Sequence, residues 1–302
     1  MRSFFVFLCL LLPFPAFAAL RVVATVPDLA AIAREVGGDR VTVTSLVLPT
    51  QDAHFVDARP NLALELSRAD MLAVVGLDLE LGWLPTLVTG ARNTKVQVGA
   101  PGYVDCSRFV ALLDVPTEKL DRAMGDIHPG GNPHYLLDPR NGARVAVGMA
   151  ERMGQLDPAN REAYQRAAAD LGTRLEAGRA GWERTLAPLR GKEVITYHRS
   201  FPYLANWLGF TVPIAIEPKP GIPPSPSHVA QVLQVAQARS VRLLLQEVYY
   251  PASTAELIAT KTGAKLVRLP GGADVATGQT YTARIDAMVK AIAGAVQSGG
   301  IP

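Results

Sequence analysis

The sequence predicts an α/β protein made of two lobes, each a parallel sheet flanked by helices, joined by one long rigid helix. Apolar strand patterns alternate with helix patterns in the first half of the chain, and the alternation resumes in the last third. Between them lies a proline-free stretch dense in alanine, leucine, arginine and glutamate. The 302 residues are enough for two modest lobes, which we place at 19–157 and 189–302, on either side of a helix at 158–188.

The first lobe begins with a strand, a helix and a glycine stop. Residues 20–26 have a strand pattern, and the helical pattern of 29–36 ends at two glycines. A second strand at 41–47 is followed by a helix at 61–69 and by 71–75, an apolar run typical of a strand buried on both faces. This alternation favours a parallel sheet covered by helices.

The middle segment predicts one long helix. Asp157 and Pro158 make a suitable start, because proline is tolerated in the first turn, where its missing N–H is not needed. At 1.5 Å per residue the helix would be roughly 45 Å long, enough to bridge two lobes. Its interior glycines, Gly172, Gly178 and Gly181, should weaken it.

The second lobe repeats the strand and helix patterns. Strands are expected at 192–197, near 212–216 and at 241–245, and helices at 201–208, 229–238, 252–262 and 281–297. Ser227 is the expected N-cap of the helix at 229–238. The proline-rich loop 217–226 is either a mobile cover over a site or a stiff connector.

The N-terminus has the pattern of an export signal. Arg2 precedes an apolar run that ends in a small-x-small cleavage sequence, so residues 1–18 indicate a secretory signal peptide. The run is shorter than the roughly 20 residues that a membrane span needs. Cleavage would remove Cys9 and leave Cys106, which excludes an intramolecular disulfide.

The charge pattern limits the partners. The formal net charge is +3, acidic and basic residues are interspersed, and no other apolar run approaches the length of a membrane span. We therefore expect no nucleic-acid surface. With the export signal, we expect a protein of the periplasm, and we expect it to be a monomer.

Three of the five histidines lie just after predicted strands or in loops between elements, which is where open α/β sheets bind ligands. They are His54, His134 and His198. Because they are far apart in sequence, a shared site must be assembled by the fold rather than by a local zinc-finger motif. Taken singly, each histidine is better explained as a surface or hydrogen-bonded residue.

Each of these histidines lies in a distinctive local sequence. Residues 131–139 are GNPHYLLDP, residues 52–60 are DAHFVDARP, and residues 197–204 are YHRSFPYL. They resemble the second, first and third ligand motifs of the zinc- and manganese-specific solute-binding proteins of bacterial ABC transporters, although Ala53 stands where that family usually has proline. The resemblance covers essentially the whole mature chain. It implies two α/β lobes joined by a long helix, with the metal at the lobe interface.

The resemblance implies His54, His134 and His198 as ligands of one ion. Imidazole suits zinc, and the manganese members tend to carry a carboxylate at the third position, so His198 favours Zn2+ over Mn2+. By the same resemblance the fourth ligand is an aspartate shortly before the last helix, where Asp274 lies. Glu247 and a water molecule remain alternatives, and Asp274 is also explained as a turn residue.

Other side chains are candidates for assisting the site. His128, in the glycine-rich approach to the second motif, either passes metal inward or is a solvated loop residue. A zinc-bound histidine usually donates its other ring N–H to a carboxylate or carbonyl, and Asp57, Asp138 and Glu247 are candidates for that role. Asp138 also precedes a helical run, where it would be an N-cap.

The sequence therefore predicts a metal receptor rather than an enzyme. By the resemblance, it captures zinc and delivers it to the membrane permease of an ABC importer, and a periplasmic metal-donating protein is a further candidate partner. Three alternatives remain: a manganese receptor of the same family, a zinc-dependent hydrolase and a metal-binding adhesin. The hydrolase lacks a catalytic signature such as His-Glu-x-x-His or Gly-x-Ser-x-Gly.

Overall fold

The computed structural model describes residues 19–117 and 128–298, so the predicted signal peptide at 1–18 lies outside the described residues. The described strands are Leu20–Ala24 (β1), Val41–Ser45 (β2), Met71–Val74 (β3), Tyr103–Asp105 (β4), Ile195–Thr196 (β5), Leu243–Glu247 (β6) and Lys265–Leu269 (β7). The described helices are Pro27–Gly37 (α1), Pro60–Ser67 (α2), Leu84–Ala91 (α3), Pro139–Leu156 (α4), Arg161–Thr185 (α5), Pro202–Leu208 (α6), Pro226–Ala238 (α7), Ala252–Thr262 (α8) and Tyr281–Ser298 (α9). None of these helices has both the length and the apolar character that a bilayer span requires.

Two parallel sheets organise the strands, as the sequence predicts. The first has the order β2-β1-β3-β4 and the second the order β5-β6-β7. In the first, Val22 of β1 lies beside Val43 and Met71. In the second, β6 is central and pairs in parallel with both neighbours. The loops at the carboxyl ends of the strands in both sheets are therefore the position at which open α/β sheets bind ligands.

The predicted long helix is present as α5, which runs for 25 residues. Short 3-10 turns at Pro158–Asn160 and Ala187–Leu189 precede and follow it. Its interior glycines do not break it, because α5 is packed against α1, α4 and α9 and its stability comes from those contacts rather than from helix propensity.

One apolar core runs through both lobes. Its members come from α1, α4, α5 and α9 and from the inner faces of both sheets. Leu29, Met149, Leu171, Leu245 and Ile285 are each at most 1% exposed. Separate apolar clusters lie under α2 and α3 on one sheet and under α7 and α8 on the other. The lobes thus share a middle layer of helices, which fixes the position of the cleft between them.

The second sheet is smaller than the sequence pattern predicts. The strand expected at 192–197 is reduced to the two residues of β5, and the strand expected near 212–216 is replaced by isolated bridges at Thr211 and Ala215. In these bridges Thr196 pairs with Ala215 and Glu193 with Thr211. Pro213 explains the interruption, because proline has no N–H to donate to a strand ladder.

The N-cap of α7 also differs from the prediction. The helix begins at Pro226, and the Ser225 hydroxyl, not that of Ser227, accepts the backbone N–H of His228. Proline suits the first helical position, so the helix starts before the apolar pattern begins. The sequence pattern also does not predict α3, β4 and β7.

Candidate metal centre

Three histidines from three loops converge between the lobes. His54 follows β2, His134 precedes α4, and His198 follows β5. Their ring centroids lie 5.2 to 5.4 Å apart. One ligand nitrogen from each lies within 4.8 Å of the others. We call His54, His134 and His198 the histidine cluster.

His54 is held from behind by a carboxylate. Its Nδ1 lies 2.7 Å from Asp52 Oδ1, which also accepts the His54 backbone N–H at 2.9 Å. The Trp83 indole N–H donates to the Ala53 carbonyl at 2.8 Å and fixes the loop. Burial raises the pKa of the Asp52 carboxyl, but the hydrogen bond and charge of His54 outweigh it, so the pKa lies below its usual value. An ionised Asp52 keeps the proton of His54 on Nδ1 and leaves Nε2 for a ligand.

His198 has the same arrangement with a different carboxylate. Its Nδ1 lies 2.5 Å from Glu217 Oε2, and both side chains are buried. The Glu217 backbone N–H donates to the Tyr197 carbonyl at 2.8 Å, which places the carboxylate beside the ring. By the same reasoning, the Nε2 of His198 is free to bind a metal.

His134 differs because its ring nitrogen Nε2 is buried without a hydrogen-bond partner among the described residues. Burial, followed by the charges of the neighbouring histidines, lowers its pKa well below the usual value, so the ring stays neutral. An unpaired buried acceptor costs roughly 1–3 kcal/mol, which a bound metal ion would offset. The Asn132 amide fixes this loop: its Oδ1 accepts the His134 N–H at 3.0 Å, and its Nδ2 donates to the Arg199 carbonyl at 2.8 Å.

The donor set fits a divalent transition metal. Neutral imidazoles suit zinc, copper, iron and nickel, and a carboxylate behind each ring raises its basicity. Asp52 and Glu217 bring negative charge to within hydrogen-bond distance of two of the rings. The cluster can therefore bind a cation through nitrogen while carboxylates outside the donor set compensate its charge.

A cavity of about 70 Å³ lies beside the cluster, bordered by both lobes. His54, His134 and Glu247 line it. Glu247 is 5% exposed, and its Oε2 has no hydrogen-bond partner among the described residues. Burial raises its pKa, which favours the neutral acid. Glu247 thus lies near the cluster, but it is not in the group of converging ligand atoms.

Two carboxylates expected at the site lie elsewhere. Asp274 is exposed in a turn, where its Oδ1 accepts the N–H groups of Ala276 and Thr277 at 3.2 and 3.3 Å. This is the turn role that aspartate commonly takes. Asp57 is also exposed. The structure brings neither of them to the histidines.

The two remaining candidates, Asp138 and His128, lie in different surroundings. Asp138 caps α4: its Oδ1 accepts the Arg140 N–H at 2.9 Å, and it pairs with the Arg140 guanidinium at 2.6 Å. It orients the helix that follows His134 rather than a ring. His128, in contrast, lies against the cluster, with its Nε2 3.3 Å from the Nε2 of His54.

Sequence reasoning missed the two carboxylates that hold the rings. Asp52 lies two residues before His54 in the first motif, so its proximity was a usable signal. Glu217 is 19 residues from His198 and lies in the proline-rich loop, so no local pattern connects them. The isolated bridge between Thr196 and Ala215 brings them together.

Comparison with known proteins also indicates a metal-binding protein. A family model described as zinc-uptake complex component A, periplasmic, matches residues 22–295. The chain is 27% identical over 228 residues to the high-affinity zinc uptake system protein ZnuA of Paracoccus denitrificans (strain Pd 1222), a match covering 65% of this chain and 66% of that protein. It is 27% identical over 195 residues to the manganese ABC transporter substrate-binding lipoprotein PsaA of Streptococcus anginosus, covering 63% of this chain and 60% of the relative. The chain thus spans less than two thirds of the length of these relatives.

Solved structures match over nearly the whole described chain. A crystal structure of ZnuA has a TM-score of 0.76 at 25% identity, covering 92% of this chain and 99% of that one. The solute-binding protein FpvC from Pseudomonas aeruginosa, in complex with Mn2+, has a TM-score of 0.75 at 25% identity, covering 93% and 100%. The fold and the family are those of metal-binding solute-binding proteins and not of enzymes.

Proposed function

Because the chain belongs to the family of periplasmic zinc-uptake components that its residues 22–295 match, we propose that it is the metal receptor of an ABC importer. It captures one divalent transition-metal ion at the histidine cluster and delivers it to a membrane permease. The convergence of His54, His134 and His198, with their ligand nitrogens within 4.8 Å of one another, carries this proposal. A metal-donating protein is a candidate second partner.

We propose zinc as the ion. Relatives named for zinc and for manganese are equally similar at 27% identity, so overall similarity does not separate the two metals. The donor atoms support zinc, because imidazole nitrogen suits zinc whereas manganese is better served by carboxylate and water oxygens. In this protein the carboxylates Asp52 and Glu217 bond to the rings and are therefore not free to act as oxygen ligands.

The preformed cleft supports a receptor that stores its cargo without chemistry. Two of the rings are already oriented by carboxylates, and the unpaired Nε2 of His134 is buried in the same place. A ligand that enters needs little reorganisation of the protein, which favours affinity. The lobes at 19–157 and 189–302 would each contribute ligands, with the helix at 158–188 holding the distance between them.

Export is part of the proposal. Residues 1–18 would direct the chain to the periplasm and be removed, leaving a monomer that begins near Ala19. Some relatives are named as lipoproteins. Here Cys9 lies inside the apolar run without a preceding small residue, so we expect no lipid anchor. N-terminal sequencing of protein recovered from the periplasm tests this, and a retained or acylated N-terminus would refute it.

Metal analysis of the protein as isolated from the periplasm, paired with competition between zinc and manganese, tests the function. We expect one zinc per chain and no displacement of zinc by equimolar manganese. Stoichiometric manganese in the isolated protein would reassign the receptor to that metal. Absence of any tightly bound metal would reject the receptor.

A further inference from the structure

Six cationic residues lie at the end of the second sheet that is opposite the histidine cluster. They come from the three segments that lead into β5, β6 and β7, at 190–193, 239–242 and 261–265. We call this set the basic pole, and its members are Arg190, Lys192, Arg239, Arg242, Lys261 and Lys265. Five of them are exposed, and Lys192 is half-buried.

The fold joins the three segments side by side. The Arg239 guanidinium pairs with Glu193 at 2.6 Å, which links the segment before β6 to the one before β5. The Lys265 N–H donates to the Arg242 carbonyl at 2.8 Å, which links β7 to the start of β6. Because neighbouring strands of a sheet are about 4.8 Å apart, these cations form one surface although they are far apart in sequence.

The charge of this surface is strongly positive. The three segments contain six cations and one carboxylate, a net charge of +5, whereas the whole chain has a formal net charge of +3. The carboxylate is Glu193, and its pair with Arg239 is the one ion pair that the basic pole makes within the described residues. Acidic and basic residues are interspersed along the sequence, and folding concentrates the positive charge at this end of the second lobe.

Helix dipoles explain only part of this pattern. Arg239 follows the last residue of α7 and Lys261 lies in the last turn of α8, where the partial negative charge of a helix end favours a cation. Lys192, Arg242 and Lys265 lie at or just before the strands instead. An exposed surface of this charge fits an anionic partner from outside the chain.

We propose that the basic pole binds the anionic phospholipid headgroups of a membrane surface and holds the receptor there reversibly. This rests on the proposed function, which places the receptor beside a membrane permease and gives it no lipid anchor. A bilayer fits because the cations are spread over the ends of three strands and two helices, so that each can meet a separate phosphate. Every Lys or Arg near an anionic bilayer strengthens binding by a factor of about five.

Membrane binding at the basic pole would leave the metal site accessible. His198 follows β5 and Glu247 ends β6, so the histidine cluster lies at the carboxyl ends of the strands and the basic pole at their amino ends. The five residues of β6, at about 3.3 Å each, separate the two by roughly 16 Å. Loss of charge at the basic pole should therefore not alter zinc affinity.

The test is flotation of the mature, metal-free chain with vesicles of phosphatidylcholine, either alone or mixed with phosphatidylglycerol. Soluble polyglutamate is the second probe. One variant removes three cations of the basic pole by the substitutions Lys192→Gln, Arg242→Gln and Lys265→Gln. The matched control has the same net charge but removes three exposed cations from α5 and the first lobe, by Arg68→Gln, Arg92→Gln and Arg166→Gln. Zinc titration and thermal unfolding of each variant verify that it is folded.

We expect the unsubstituted chain to bind vesicles that contain phosphatidylglycerol and not those of phosphatidylcholine alone. Binding should be lost when salt is raised from about 0.05 M to about 0.5 M, because salt screens exposed charges. The variant of the basic pole should bind about 100-fold more weakly, since three factors of about five are removed. The control variant should bind like the unsubstituted chain, and zinc affinity should be the same in all three.

Equal vesicle binding by the two variants would overturn the proposal, as would a failure of the unsubstituted chain to bind phosphatidylglycerol. Binding to polyglutamate without binding to vesicles would also overturn it and would assign the basic pole to an acidic protein. These outcomes leave the receptor function standing. That function would fail separately, if the unsubstituted chain did not bind zinc or manganese.

Discussion

The interface between the lobes has two polar regions whose atoms find their hydrogen-bond partners in different places. One is the histidine cluster. The other, which we call the α1–α9 contact, joins α1 to residues 270–284 of the second lobe. Its hydrogen bonds link the Asp28 carboxylate to the Ala273 N–H (2.7 Å), the Glu35 carboxylate to the Tyr281 N–H (2.7 Å) and the Arg34 guanidinium to the Val275 carbonyl (2.8 Å).

The difference is in where the polar atoms find their partners. In the α1–α9 contact, donors and acceptors of one lobe are bonded to the other lobe, so the contact holds the lobes together without a ligand. In the histidine cluster, the Nδ1 atoms of His54 and His198 are bonded to carboxylates, and the Nε2 of His134 has no partner among the described residues. The protein thus separates the task of joining the lobes from the task of binding metal. Variants in one region should affect stability, and variants in the other should affect affinity.

The largest effect is expected at Asp28, which is 5% exposed and lies 4.0 Å from the buried Arg284 guanidinium. Asp28→Ala would leave Arg284 as an uncompensated buried charge and the Ala273 N–H without its acceptor. We expect the free energy of unfolding of the metal-free protein to fall by about 3–5 kcal/mol. Urea denaturation measures it.

Asp39→Ala is the matched control, since Asp39 lies just after α1 and its side chain is 92% exposed. Its effect should not exceed about 1 kcal/mol. Equal stability of the Asp28 and Asp39 variants would contradict the stabilising role of the α1–α9 contact.

The next prediction is a loss of zinc affinity without a loss of stability. His134→Ala removes a proposed ligand and also a buried nitrogen that has no partner among the described residues. Zinc affinity should therefore fall at least about 100-fold, while the stability of the metal-free protein should be unchanged or higher. Calorimetric titration and thermal unfolding measure the two quantities. A parallel loss of both would show that the two regions are not independent.

A smaller loss of zinc affinity is expected when the carboxylate behind the ring of His198 is replaced. Glu217→Gln keeps the shape of the side chain but removes the charge that fixes the tautomer of His198. Zinc affinity should fall about 10- to 100-fold. Asp57→Asn, at an exposed carboxylate of the first motif, is the control and should bind zinc normally. If both variants bound zinc equally well, the carboxylate behind His198 would have no part in binding.

Acidification should weaken zinc binding gradually. Protons and zinc compete for the same lone pair, so affinity should fall as the pH drops toward and below about 6.5, the usual pKa of histidine. Because burial lowers the pKa of His134, this ring competes with protons only at the acidic end of the range. Zinc titrations at several pH values from neutral to pH 5 measure how zinc affinity changes with pH. Undiminished zinc affinity at pH 5 would exclude a histidine site.

The order of elements was predictable because strand and helix patterns are local properties of the sequence. The long helix and the cap at Asp138 follow from proline and aspartate positions and are present in the structure. The small second sheet was not predictable in detail, because Pro213 turns a strand pattern into isolated bridges. Likewise, sequence patterns cannot reveal a contact such as that of Glu217 with His198, which depends on how a 19-residue connection folds back.

Prediction of the candidate site from the sequence has the same limit. The three motifs identified His54, His134 and His198, and the structure brings these residues together. The resemblance implied Asp274 as a fourth ligand, and Asp57 was a candidate partner for a ring N–H, but both are exposed. The carboxylates that bond to the rings are Asp52 and Glu217, which the sequence did not single out. Ligand residues carry local signatures, whereas the residues that orient them are selected by tertiary contacts.

Anomalous diffraction at the zinc edge, from crystals of the mature protein loaded with one equivalent of zinc, tests the central claim most directly. We predict a single strong peak between the lobes, about 2.0–2.1 Å from the Nε2 atoms of His54, His134 and His198. A peak bound elsewhere on the chain, or no peak at the histidine cluster after equimolar loading, would contradict it.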